Sequence, residues 1–340
     1  MRETVVAGLL RSAEPAIRWK VRVGVLGEDP ASRSIRALRE EIRRSPRVRA
    51  LLARRAQLGR AGTARQVYYK WQGLHWVLAA LADLGYPEGD ESLAPIRDRV
   101  VGFWTGPAYF HEFVAATRAA AYRERGVPIM AGRYRRCASQ QGNALRSVVA
   151  LGIADQGADV LAERLLHWQW PDGGWNCDRD PAAQTSSFHE TWLALRGLAA
   201  YARGRRRPAL RTAIDRAAEV FLERKLFKRR RDGRVMTPDF ARLHYPHYWH
   251  YDALGGLTAM AEVGKIRDPR CADALDLLEG KRLADGGWPA ERRYYTVSRT
   301  TAMRSNADSV SWGPTGHARM NEWVTAEALT VLRAAGRLES

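Results

Sequence analysis

One piece of punctuation recurs in this chain and limits what it can fold into: an apolar helical run that stops at Asp-Gly-Gly-Trp. Leu161 to Leu166 leads into His167-Trp168-Gln169-Trp170-Pro171-Asp172-Gly173-Gly174-Trp175. Proline cannot continue a helix and glycine takes positive φ without steric penalty, so the helix ends there. Trp175 falls after the turn, placed to pack back over the helix end it has just left. The pattern returns at Asp285-Gly286-Gly287-Trp288, with a reduced copy, Arg231-Asp232-Gly233-Arg234, between the two. Copies spaced by roughly 50 to 60 residues are the mark of a repeat architecture.

The helices between these turns are of two kinds. Residues 74–85, 144–152, 191–201, 253–264 and 324–336 are nearly apolar throughout, and the first two follow a Gln-Gly pair (Gln72-Gly73, Gln141-Gly142). Residues 93–104, 161–168, 213–227 and 271–282 carry one charged face. A helix apolar all round is enclosed, whereas a striped one meets water on one side. Their alternation predicts an all-α, α/α toroid, a double ring of helical hairpins with the apolar helices inside. Residues 61–340 form this toroid in the sequence reading. Residues 1–60, where Ile17, Val21 and Val25 stand at fourfold spacing, read as an N-terminal helical-repeat extension. No run of alternating strand residues stands out. Residues 105–136 and 292–319 break the rhythm and are expected to be loops at the mouth of a cavity.

Charge narrows the function less than it first suggests. The formal net charge is +18, but all except six of the 55 basic residues are arginine and they do not cluster on one helix. A solvated basic surface is the default, with a basic rim binding nucleic acid as the alternative. The chain has no membrane-length apolar run and no signal-peptide core at its start, so a cytoplasmic location is expected. Cys137, Cys177 and Cys271 show neither a pairing pattern nor metal spacing and read as reduced.

Gln169, Gly173 and Trp175 stand as Q-x-x-x-G-x-W behind an apolar helix. This resembles the repeat motif of squalene and terpenoid cyclases, whose α/α toroid is shared by protein prenyltransferase β subunits. Lys281 to Trp288 looks like a second copy, with Lys281 or Arg282 where the family has Gln. The resemblance implies a cyclase- or transferase-like enzyme and a small-molecule, isoprenoid substrate in a central cavity. The chemistry of those families does not carry over. The Asp-x-Asp-Asp acid motif, the Asp-Asp-x-x-Asp magnesium motif and the Asp-x-Cys zinc pair are all missing; Arg135, Trp175 and Pro269 stand two residues before the three cysteines. Fold alone does not fix function.

A site is therefore sought from the residues. Polar clusters open the inner helices: Ser186-Ser187-Phe188-His189-Glu190, His247-Tyr248-Trp249-His250-Tyr251-Asp252 and Met320-Asn321-Glu322-Trp323. If the first turns converge, Asp252, Glu190, His189, His250 and Glu322 form an acid–base set. Asp252 or Glu190 then exchanges the proton and the imidazoles tune it. Trp71, His75, Trp76, Asn143, Tyr248, Trp249, Tyr251 and Trp323 would bind the substrate, aromatic faces suiting a greasy body or a developing cation. The plainer reading is that these carboxylates only cap helices. No metal or cofactor is expected; zinc on His189, His247 and His250 is the alternative, since His247 and His250 stand three apart. Helix dipoles with Lys70, Arg133, Arg135, Arg136, Arg242 and Arg319 would favour an anion at the same end. A non-catalytic scaffold or lipophile carrier is the third reading.

Overall fold

The computed structural model describes residues 2–55, 67–298 and 304–338; what was expected of 56–66 and 299–303 lies outside them. The chain begins with α1 (Arg2–Leu10) and α2 (Pro15–Lys20), the latter continuing as a π-helical stretch, Val21–Val25. Next come α3 (Arg33–Arg43) and α4 (Pro46–Leu52), whose first amides are capped by the hydroxyls of Ser32 and Ser45. The repeats then run α5 (Leu74–Leu84), α6 (Ala94–Trp104), the single turns α7 (Pro107–Phe110) and α8 (Arg118–Ala121), α9 (Ala138–Ala150), α10 (Gln156–His167), α11 (Phe188–Ala202), α12 (Pro208–Leu222), α13 (Ala253–Glu262), α14 (Ala272–Glu279) and α15 (Glu322–Ala335).

Their packing closes a circle. In turn α5 packs on α9, α9 on α11, α11 on α13, and α13 on α15; α15 then meets α2 with its π-helical stretch, and α2 returns to α5. Outside this ring α6 packs on α5, α10 on α9 and α11, α12 on α11, and α14 on α13. The protein is an α/α toroid. Part of the segment read as an extension, Pro15–Val25, supplies the sixth inner element. The tightest joint is between α9 and α11, where a Cβ on Gly142 would lie 2.4 Å from the Ala194 Cα and one on Gly197 would lie 2.3 Å from the Gly142 carbonyl oxygen. Only hydrogen on those α-carbons lets the backbones approach so closely.

The two full turn motifs agree bond for bond. Trp175 Nε1 donates to the Leu165 carbonyl at 3.0 Å and its amide to Thr191 Oγ1 at 3.1 Å. Trp288 repeats both, to Leu278 at 2.7 Å and Thr325 at 2.9 Å. Gln169 Nε2 holds the Gly173 carbonyl at 2.7 Å; in the second copy Arg282 Nε does the same to Gly286 at 3.1 Å. Arg282 thus takes the place that Gln169 holds in the first motif. Each tryptophan therefore pins an inner helix, through its amide, to the outer helix before it, through its indole N–H.

Both irregular insertions contain short strands that the sequence pattern did not announce. Glu112–Val114 pairs in parallel with Val127–Met130, which pairs antiparallel with Arg133–Tyr134; Thr296–Val297 pairs with Ala307–Asp308. At two to four residues they are too short to show a period of two. Among the described residues, no helix is long and apolar enough to cross a membrane.

Candidate functional site

The first turns of the inner helices do gather at one end of the ring, but that end is filled. Trp71 stacks on Tyr248 at 4.9 Å and meets Trp76 edge-on at 4.7 Å, with His250 against it at 5.4 Å. His250 in turn stacks on Tyr294 at 3.6 Å. The second insertion seals the layer: Ala307 accepts the Trp71 amide, Asp308 accepts the Tyr248 hydroxyl at 2.5 Å, and Trp312 Nε1 donates to Asp308 at 2.8 Å. Segment 304–312 is therefore a plug on this end, while Arg292, Arg293, Gly313, Pro314, Thr315 and His317 of the same insertion line an open pocket of about 600 Å3.

The expected residues sort accordingly. His75 is buried between rings, receiving the Trp104 indole N–H at 3.1 Å on Nδ1 and touching Asn143 at 3.2 Å on Nε2. Trp76 donates to the Tyr68 carbonyl, and Tyr251 donates to Leu226 while stacking on Phe221. Trp323 stacks on Tyr245. These four side chains are core. Trp249 stacks on His189 at 4.6 Å, half-buried under the Lys70 ammonium. Glu322 turns to the N-terminal segment, accepting the Ser12 hydroxyl at 3.0 Å. Glu190 lies among Ser139, Cys137 and Cys177. The acid–base set expected of Asp252, Glu190, His189, His250 and Glu322 is thus not one constellation.

Burial also silences three of the imidazoles. It pushes His75 down to about 3. Burial, helped by His244 and Lys70, takes His189 down to about 4 and His250 to about 2. Near neutral pH these rings carry no charge.

The open space of the ring is at the other end. A cavity of about 330 Å3 is walled by Lys20 of α2, Asp83 of α5, Arg146 of α9, Arg196 of α11, Glu262 of α13 and Glu327 of α15. Each of the six inner elements contributes one charged side chain. A narrow extension of about 40 Å3 runs inward past Asn143, Trp192, Tyr245, His247 and Tyr248. Trp19, Val23, Ala261 and Val331 give the wall apolar stretches. Of the residues expected to bind substrate, Asn143 and Tyr248 reach this space.

The charges are paired across the ring. Arg196 grips Glu262 with two bonds of 2.7 and 2.6 Å. Asp83 faces Lys20 at 3.5 Å and Arg146 at 3.4 Å and also accepts the Tyr245 hydroxyl. Burial alone would raise both carboxyls; their cationic partners win and hold them below the usual range. Burial likewise lowers Arg146.

One chain of groups leads from the core to the cavity wall. Asp252 is fully buried and caps α13 through the Gly255 amide at 2.8 Å, so the capping reading holds. It also accepts the His244 amide at 3.0 Å and His247 Nε2 at 3.0 Å. The opposite ring nitrogen of His247, Nδ1, lies 3.7 Å from Glu327 Oε2. Thr258 donates to Glu327 Oε1 at 3.0 Å, while Oε2 is buried and has no hydrogen-bond partner. Burial opposes charge on His247, but Asp252 and Glu327 outweigh it and raise its pKa; Asp252 itself is held far below the normal carboxylate range. His247 and Glu327 were not among the residues expected to be catalytic.

The arginines named for an anion-binding rim are dispersed, and of them Arg242 lines an open pocket with Arg292 and Arg293. Arg135 and Arg136 are buried, Arg135 stacks on Trp170, and Arg242 faces Asp239 at 3.4 Å.

No family model matches the chain, and no curated protein matches it. Among solved structures it is similar to two variants of the type II terpene cyclase MstE from Scytonema, each in complex with geranylgeranyl dihydroxybenzoate. The first has 14% identity and a TM-score of 0.43, covering 99% of this chain and 96% of that one; the second has 14% and 0.42, covering 99% and 97%. A superposition that loose transfers neither a residue role nor a reaction.

Proposed function

We propose that this protein is an enzyme that moves a proton to or from a small amphipathic molecule held in the charged cavity of the ring. Glu327 is the group that exchanges the proton with the substrate. His247 restores it across the gap to Glu327, and Asp252 acts through His247, fixing the imidazole's orientation and favouring its charged form. The observation that carries this reading is the free Oε2 of Glu327, buried on the cavity wall and 3.7 Å from His247 Nδ1. Catalytic hydrogen bonds are often long before substrate binds and shorten in the complex. A carboxylate left unpaired in a low-dielectric wall is otherwise costly.

The wall chemistry supports a substrate with an anionic or polar head and an apolar body. Lys20, Arg146 and Arg196 offer cations, and Trp19, Val23 and Val331 offer apolar contact. A short isoprenoid with a polar terminus belongs to that class, and the volume is at the small end of ligand pockets, about 300–1,000 Å3. No cofactor is needed for this proton transfer.

The test does not require the product to be known. The protein is incubated in deuterated water with prenyl alcohols, prenyl diphosphates, prenylated benzoates and branched carboxylic acids, and each is weighed by mass spectrometry. Expected is solvent deuterium on one class, reduced at least about 100-fold in Glu327→Gln and unchanged in Glu322→Gln. Deuterium incorporation that survives Glu327→Gln would remove that carboxyl from the mechanism. No incorporation into any prenyl compound would overturn the isoprenoid substrate.

A further inference from the structure

At the filled end of the ring, on the opposite side from Glu327, two cysteines and a glutamate meet that sequence spacing kept apart. Cys137 immediately precedes α9, Cys177 follows the Trp175 turn, and Glu190 is in the first turn of α11. Their ligand atoms all lie within 4.8 Å of one another. We propose that Cys137, Cys177 and Glu190 form an open zinc site, with its fourth position left for water or a small anionic or thiol ligand.

The geometry fits the metal. Zinc binds thiolate sulfur at about 2.3 Å and carboxylate oxygen at about 2.0 Å, so adjacent tetrahedral S and O ligands lie about 3.5 Å apart. Cys177 Sγ stands 3.5 Å from Glu190 Oε1. The other carboxylate oxygen is already occupied: Oε2 accepts the Ser139 amide at 3.0 Å and its hydroxyl at 2.8 Å. Such outer hydrogen bonds orient a ligating carboxylate and leave one oxygen free to bind.

The charge balance fits as well. Two thiolates and a carboxylate around a divalent ion leave one negative charge. Arg136 brings one positive charge into the same buried region, with a terminal guanidinium nitrogen that has no hydrogen-bond partner. Without a metal the Cys177 thiol donates to Glu190 Oε1; bound zinc would take the place of that proton and hold the thiols deprotonated. Both cysteines are only partly buried, so an ion and a fourth ligand have a way in. Two sulfur donors select zinc over magnesium or calcium.

The neighbouring His244, His247 and Asp252 cluster is of a different kind. Its nitrogen–oxygen separations are 2.8 and 3.0 Å, shorter than the roughly 3.3 Å edge of a tetrahedral zinc site. Both Asp252 oxygens already accept backbone amides. In that cluster the Asp252 carboxylate is already taken up by His247 and two backbone amides.

The test uses the full-length protein, reduced and stripped of metal by a chelator without oxygen, then titrated with cobalt(II). Expected is one equivalent bound, with a sulfur-to-cobalt charge-transfer band that zinc(II) abolishes. Cys137→Ser and Cys177→Ser should each remove about half of that band, Glu190→Gln should weaken binding about 10-fold or more while keeping it, and Cys271→Ser should change nothing. Circular dichroism verifies that the variants fold. Should they not, alkylation of the unmutated protein decides: zinc should protect Cys137 and Cys177, and not Cys271, from iodoacetamide. Absence of the band in the reduced protein, a band that survives loss of both cysteines, or equal alkylation with and without zinc would overturn the site.

Discussion

The two ends of the ring are built from the same helices and use opposite chemistry. At the end where the inner helices begin, stacked rings fill the hole: Trp71, Trp76, Tyr248, His250 and Tyr294, with imidazoles held neutral by burial. Toward the other end each inner helix turns a charged side chain into a cavity, and the one imidazole next to it, His247, is biased toward its cation. The aromatic layer of the first end is a core element built on ring packing. The charged end keeps ionised groups out of water, which is destabilising unless every partner is in place. A protein that needed only to fold would gain by filling both ends in the same way. That difference is the reason for placing the proposed proton transfer at the charged end.

Mutations should separate the ends, beginning with the largest effects. Trp71→Ala removes the centre of the aromatic plug and should cost about 4 kcal/mol of unfolding free energy in urea, independent of salt. Arg196→Met strands the buried Glu262 carboxylate. It should cost about 3 kcal/mol, and the added change Glu262→Leu should recover much of that loss, because a buried pair is costly to break and cheap to replace. Equal, additive losses in that double variant would mean the pair is not isolated inside the ring.

Acid should expose the contrast in sign. A histidine whose folded pKa is depressed favours the fold above its unfolded value near 6.5 and loses that contribution as pH falls. His75 is of this kind, so His75→Gln should flatten the stability loss below pH 6.5 by up to about 1.4 kcal/mol per pH unit. His247 is the reverse: its raised pKa contributes below 6.5 and is lost as pH rises through the folded value. His247→Gln should therefore cost more at pH 6 than at pH 9. Matching slopes for the two variants would erase the distinction between the ends. The smallest effect belongs to Glu322→Gln, within about 0.5 kcal/mol at any pH, since its partly buried carboxylate accepts a neutral hydroxyl, that of Ser12.

The architecture was legible because it rests on local punctuation. Trp175 and Trp288 announce helix ends whatever surrounds them, and the apolar inner helices cannot face water. Ring closure by Pro15–Val25 was not legible, because two short turns carry little periodicity of their own. The proposed site was not legible for a related reason. Polar clusters at helix starts draw the eye; Asp252 serves there as the cap of the Gly255 amide, while Glu190 meets two cysteines. The useful signal was the lone charge inside an otherwise greasy helix: Asp83, Arg146 and Arg196 each stand in a helix with little need for one. Glu327, between Ala326 and Ala328, looks like an ordinary surface glutamate until α2 closes the circle beside it. Cys137 and Cys177 meet only because α9 and α11 pack so closely.

The most direct measurement is an imidazole-nitrogen NMR titration of the uniformly labelled protein. His247 should remain protonated above pH 6.5 while His75, His189 and His250 stay neutral down to at least pH 5, and Glu327→Gln should lower the His247 midpoint. A His247 ring already neutral at pH 6, or one indifferent to Glu327→Gln, would contradict the account.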